Sequence, residues 1–197
     1  MTFRAHFEHR EELLRAAASE FSDRGYENAS VNRILAASGM SKGQLYHHFR
    51  SKEGLYLALV EWMIDRKIEW LAAHPTDLED DFLGTIGTQM AASLEFATAH
   101  PDIDRLSRAL LAERGRPIFA KVVRRHGFDP DSALGSLIEH CYAQGQFRSD
   151  LTLTFVRGAV LTLVNNLPEL LDLSGPADLA SRIDEVLTFL RAGLVRS

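Results

Sequence analysis

Residues 28–53 read NASVNRILAASGMSKGQLYHHFRSKE, and the fold of the chain is decided there. The stretch carries Arg33, Lys42, Arg50 and Lys52 with no acid before Glu53, so it forms a basic island in an acidic chain. Ser30 suits the N-cap of a short helix on which Val31, Ile34 and Leu35 face one way. Gly39 permits the left-handed backbone that ends a helix and turns the chain. Ser41 then heads a second segment, and Gln44, three residues on, completes a capping-box pattern. Leu45 and Phe49 supply that segment's buried side and leave Lys42, Gln44 and His47 on others. Ser51 starts a further helix. Two short helices joined by a glycine turn outline a helix-turn-helix, whose second helix enters the DNA major groove.

Working outward, Leu13, Leu14, Ala17, Ala18 and Phe21 predict a helix from about Arg10 to Arg24, ended by Gly25. Residues 1–9 read as a frayed arm, with Arg4 as a candidate for the minor groove. A long helix begins at Lys52 and stops at His74-Pro75. Beyond it only helical patterns appear, over 78–99, 101 to about 115, 117–127, 129–145, 150 to about 166 and 176 to about 196. The expectation is an all-α chain of nine or ten helices. A three-helix DNA-binding domain spans 1–50, and a helical effector-binding and dimerisation domain spans 51–197.

The same residues resemble the signature of the tetracycline-repressor (TetR) family. Gly25-Tyr26, Ser30-Val31, Ile34, Gly39, Ser41-Lys42-Gly43, Leu45-Tyr46, His48-Phe49 and Ser51-Lys52-Glu53 agree with it at fixed spacing without a gap. There are departures. Leu35 and Ser38 stand where that family usually has alanine, Met40 where it prefers valine, and Gln44 where a small residue is common. The resemblance implies a homodimeric, ligand-responsive regulator, a repressor in the commonest case, that binds a near-palindrome in double-stranded DNA and is released by a small molecule.

Net charge is −5, with 46% hydrophobic and 25% charged residues, which is ordinary for a globular protein. Residues 1–74 hold ten Lys/Arg and ten Asp/Glu, so the acidic excess lies beyond them. An acidic molecule still binds DNA through a locally positive face, because phosphate contacts act within a Debye length of about 8–10 Å. One cysteine, Cys141, excludes an intrachain disulfide and fits a reducing compartment. With no secretory signal or spanning segment in view, a cytoplasmic protein without a membrane partner is expected.

The candidate DNA contacts are Ser30, Arg33, Ser41, Lys42, Gly43, Gln44, Tyr46, His47 and Lys52. Lys42 suits a phosphate or a guanine edge, and Gln44 suits either a bidentate pair with adenine or the capping box alone. Tyr46 and Lys52 take their phosphate-contacting roles from the resemblance. Ser30 and Arg33 stand at a helix start, where a phosphate is welcome. Trp70, Met90, Phe96, Phe119, Tyr142 and Asn166 are candidate linings of an effector pocket.

Phe155, Ala159 and Leu163 on one late helix, with Ile183, Leu187 and Leu190 on the last, are candidates for the dimer interface. The first of these helices is apolar nearly all round and must bury more than one side. In the resembling family such a pair packs with its copy across a two-fold axis.

A second basic run, Arg105, Arg108, Arg114, Arg116, Lys121, Arg124 and Arg125, contains only Glu113 as an acid. It reads as the solvated faces of two amphipathic helices, with a mouth for an anion or a second DNA contact as alternatives. No nucleophile–base set, phosphate-cradling loop or metal-ligand spacing is present, so neither an enzyme nor a metal or other cofactor is expected. The rival to a regulator is a helical ligand- or partner-binding protein without specific DNA binding.

Overall fold

The computed structural model describes residues 3, 6–74, 81–127, 130–166 and 179–196. Among them are ten helices: α1 (Arg10–Asn28), α2 (Val31–Ser38), α3 (Lys42–Phe49), α4 (Lys52–Ala73), α5 (Phe82–Ala99), α6 (Pro101–Ala112), α7 (Pro117–His126), α8 (Pro130–Ala143), α9 (Leu153–Asn165) and α10 (Leu179–Leu194). Packing divides the chain into two compact units, one of Met1–His74 with Glu95–Phe128, the other of Pro75–Leu94 with Asp129–Ser197. This division by packing differs from the division by motif at residue 50.

In the first unit α1–α4 share a core with α6 and α7. Leu13, Ala17 and Phe21 of α1, Ile34 of α2, Leu45 and Phe49 of α3, and Leu55 and Leu59 of α4 are all buried in it, as are Ile103, Leu106 and Val122. Burying such side chains contributes about 1.5–3 kcal/mol each, far more than the short α2 and α3 could gain from helix propensity.

The arm before α1 is tied down where it is described. Phe3 is buried, its ring 5.0 Å from that of Phe49, and Phe7 stacks on His48 at 4.4 Å. Arg10 Nε donates to Phe3 O at 2.6 Å. The expected frayed terminus is corrected at these residues because Phe3 and Phe7 carry apolar surface that the end of α3 can bury. Arg4 lies outside the described residues.

The second unit is built on Phe82, Ile86, Ile138, Val156, Val160 and Leu190. Gln146 Oε1 accepts the Phe82 N–H at 2.7 Å, capping the start of α5. One feature has no counterpart in the helical periodicity. Phe147 and Val195 form an isolated antiparallel bridge, with Arg148 N donating to Leu194 O and Arg196 N to Gln146 O, both at 2.9 Å.

Candidate nucleic-acid interface

The turn between α2 and α3 is built by local chemistry. Ser30 Oγ accepts the Arg33 N–H, and Gly39 closes α2 with φ 68°. Buried Ser38 accepts the Met40 N–H through its hydroxyl, so the polar group standing in place of the resembling family's alanine is used in the turn. At the head of α3 the capping box is complete, with Gln44 N donating to Ser41 Oγ at 3.2 Å and Ser41 N to Gln44 Oε1 at 2.9 Å. Each of these bonds satisfies an amide that a helix start otherwise leaves to solvent.

Burial of Leu45 and Phe49 fixes the rotation of α3, and Lys42, Gly43, Tyr46 and His47 are left exposed. Lys42 Nζ lies 5.9 Å from the centre of the Tyr46 ring, one turn along the same face. His48 turns inward against Phe7, and burial first, then the neighbouring His47, lowers its pKa. The α3–α4 joint is tight. Arg50 takes φ 65°, Ser51 Oγ accepts the Gly54 N–H, and a Cβ on Gly54 would stand 2.0 Å from Phe49 O. Gly54 therefore fixes how closely α4 follows α3, and the stretch's glycine-turn pattern gives no sign of it.

The other expected contacts have partners within the unit. Lys52 Nζ donates to Glu27 O at 2.8 Å and lies 5.0 Å from the centre of the Tyr26 ring, fastening the start of α4 to the end of α1. Arg33 is held by Glu20, which reaches in from α1. Its Nε and Nη2 donate to that carboxylate at 2.9 and 2.6 Å, and Ser30 N donates to the same oxygen at 2.8 Å. The Arg33 hydrogen bond is the largest cause of a lowered Glu20 pKa.

The second basic run is largely matched by acids of its own unit. Arg105 meets Asp23, Arg108 meets Asp104, Arg116 meets Glu113, Lys121 meets Glu53 and Arg125 meets Glu61. Three of these pairs, Arg105–Asp23, Lys121–Glu53 and Arg125–Glu61, stitch α6 to α1 and α7 to α4. Glu113 is the buried member, 2% exposed, and its Oε1 also accepts the Tyr26 N–H at 2.8 Å.

The candidate effector linings fall three to each unit. Trp70 stacks on His74 and meets Phe96 edge-on at 5.5 Å, and Phe119 packs on the same core. Met90 and Tyr142 belong to the second core, where the Tyr142 hydroxyl donates to Leu151 O at 2.7 Å. Asn166 is exposed, with its amide donating to Thr162 O. Among the described residues no three His, Cys, Asp or Glu side chains converge as for a metal, and no helix is long and apolar enough to cross a membrane.

On the second unit, a shallow groove is lined by Thr154, Phe155, Gly158, Ala159, Thr162, Leu163 and Phe189. Phe155 and Phe189 are 55% and 63% exposed, while Val156 and Val160 of α9 point into the unit's own core. Ile183 and Leu187 are half-buried against that core. Leu190 is a correction. It is fully buried within the unit and has no surface to offer a second copy. The exposed large apolar residue of that turn is Phe189, one position off the stripe read from spacing.

Residues 6–59 match the model of the bacterial regulatory proteins of the tetR family. The HTH-type transcriptional repressor AcnR of Corynebacterium glutamicum is 48% identical over 50 residues, which are 25% of this chain and 27% of that one. This chain thus matches about a quarter of that relative's length. The uncharacterized HTH-type transcriptional regulator YdgC of Bacillus subtilis is 26% identical over 191 residues, 95% of this chain and 93% of that one. A TetR family transcriptional regulator from Chloroflexus aurantiacus J-10-FL shares the fold, with a TM-score of 0.81 at 22% identity over 99% of this chain and 97% of that one.

Proposed function

Since the chain belongs to the TetR family of bacterial transcriptional regulators, we propose that it is a repressor that binds a near-palindromic operator as a homodimer and is released by a small-molecule effector. The observation that carries this reading is α3. Its two apolar residues are buried, its start is capped, and Lys42, Tyr46 and His47 stand exposed on one short rigid element. A helix so presented suits the major groove, and two of them about 34–36 Å apart would read two half-sites one turn apart.

In this reading residues 1–50 form the DNA-binding domain, Lys52 adds a contact from the start of α4, and the rest of 51–197 carries effector binding and dimerisation. Ser30, Ser41, Gly43 and Lys52 approach phosphates, which position the protein without specifying sequence. Lys42 and His47 reach base edges, and the Tyr46 hydroxyl meets the backbone. Arg33 stands beside them with its charge already engaged by Glu20. Gln44 spends its carbonyl on the cap, so a bidentate pair with adenine would cost the capping box. The groove between Phe155 and Phe189 would be covered by its copy, because exposed aromatic surface of this kind gains most from burial. An effector lodged among such residues as Trp70, Phe96 and Phe119 must bind the DNA-free form more tightly, and DNA must weaken it equally.

The experiment is selection of bound sequences from random duplex DNA at two salt concentrations. An enriched near-palindrome supports the regulator. Retention without enrichment means a non-specific binder, and no retention at low salt by the folded protein sinks the reading. In the same selection Gln44→Ala leaves base preference unchanged if Gln44 only caps, and relaxes one base pair if it also reads.

A further inference from the structure

We propose that Glu20 tunes the sequence-independent, salt-sensitive part of DNA binding: its carboxylate neutralises Arg33 and so limits attraction to phosphate. The inference rests on the DNA-binding reading above. From Asn28 to Lys52 the chain contains no acid, yet Glu20 enters that surface from α1. Its Oε1 accepts from Arg33 Nε and Nη2 at 2.9 and 2.6 Å, its Oε2 accepts from Arg33 Nε at 3.1 Å, and Arg24 Nε lies 3.5 Å away. The Arg33 side chain is 49% exposed and the Glu20 side chain only 11%, so the carboxylate lies beneath the cation it offsets.

The pairing has a direct consequence for binding. Affinity for DNA backbone grows with the number of cations that replace condensed counterions at phosphates, about 0.9 of an ion per contact. A guanidinium already bonded along one edge to a carboxylate brings almost no net charge to a phosphate. Lys42, on α3 and beside a neutral ring, brings its full charge. The surface therefore keeps cations on the reading helix and cancels one on the helix before it. That arrangement lowers affinity for all sequences alike and leaves base readout to α3.

Glu20 also accepts the Ser30 N–H at 2.8 Å and so joins α1 to α2. The test has to separate that structural bond from the charge. Glu20→Gln keeps a carbonyl acceptor for Ser30 and removes the charge. Affinity for an unrelated duplex is measured by fluorescence anisotropy between 50 and 200 mM salt, for wild type, E20Q and the double variant E20Q/R33Q.

The slope of log affinity against log salt steepens by about 0.9 in E20Q, so that variant loses about 3.5-fold more affinity than wild type across the range. The double variant returns to the wild-type slope. An unchanged slope in folded E20Q overturns the proposal. A double variant whose slope falls below wild type also overturns it, because Arg33 would then be contacting phosphate despite Glu20. If E20Q does not fold, the double variant alone decides by that second criterion. Absence of binding by wild type and all variants at 50 mM salt removes the DNA-binding reading itself, and this proposal with it. Binding with flat slopes removes this proposal only.

Discussion

Replacing Gly25 with alanine tests how α1 is joined to α6. Gly25 interrupts α1 with φ 69° and ψ 172°, a region that only glycine occupies without strain. A side chain there costs about 1–3 kcal/mol in conformation alone. The new Cβ would also stand 2.9 Å from Glu113 Oε1. That carboxylate cannot simply swing aside, since it is buried and bonded to Tyr26 N at 2.8 Å and to Arg116 Nη1 at 3.0 Å. Displacing it forfeits a charge-assisted bond worth about 1.5–3 kcal/mol, so Gly25→Ala should cost about 2.5–6 kcal/mol in all. Gly39 is the control, with nearly the same φ, 68°, and no atom within 4 Å of a Cβ. Its alanine variant should lose only about 1–2 kcal/mol. Urea unfolding followed by circular dichroism gives both values. In a Glu113→Ala background the oxygen is gone, and Gly25→Ala should retain only its conformational cost, a coupling of about 1.5–3 kcal/mol. A Gly25→Ala cost no greater than that of Gly39→Ala, or one independent of Glu113, refutes the account.

Gly54→Ala drives a Cβ into Phe49 O at the α3–α4 joint and should cost about 3 kcal/mol or prevent folding, read by thermal denaturation. Burial holds the His126 imidazole below its ordinary pKa, with Glu61 opposing that shift and Arg125 adding to it, both to a smaller extent. Its neutral form is therefore favoured by the folded chain, and this contribution is complete above about pH 6.5 and shrinks as pH falls towards the lower folded value. His126→Gln should accordingly flatten the decline in urea stability between pH 7.5 and 5.5, and an unaltered decline argues against that origin. Phe155→Asp with Phe189→Asp should give a folded monomer by analytical ultracentrifugation, since both rings are already exposed within one chain; a persisting dimer places the interface elsewhere.

The helix boundaries were legible because their signals are local. Ser30, Ser41 and Ser51 each cap the helix that follows, and Gly39 and Gly127 each close one in the left-handed region. Capping needs only neighbours three residues away, and the chain's own order supplies them. The packing of α6 against α1 and of α7 against α4 was not legible in this way. Arg105 and Asp23, or Lys121 and Glu53, are pairs separated by more than sixty residues, and no periodicity announces them. The bridge at Phe147 and Val195 escaped for the same reason. So did Phe189, because a stripe drawn at spacings of three and four describes the face turned to the helix's own core and not the one left over.

Charge shows the limit most sharply. Counting along 28–52 finds cations without an acid, and the count is correct, yet the field at a surface is set by distance in space. Glu20 is thirteen residues from Arg33 in sequence and 2.6 Å from it in the fold. Coulomb attraction at that range exceeds anything the rest of the window contributes at 10 Å or more. Seven cations between 105 and 125 made an equally clear run in sequence, and five of them face acids in the fold. A basic run therefore becomes a candidate for nucleic acid only after the acids on the elements packed beneath it are subtracted. By that measure Lys42 is, among the described residues, a cation well placed for the proposed DNA contact, on a helix whose buried side is leucine and phenylalanine.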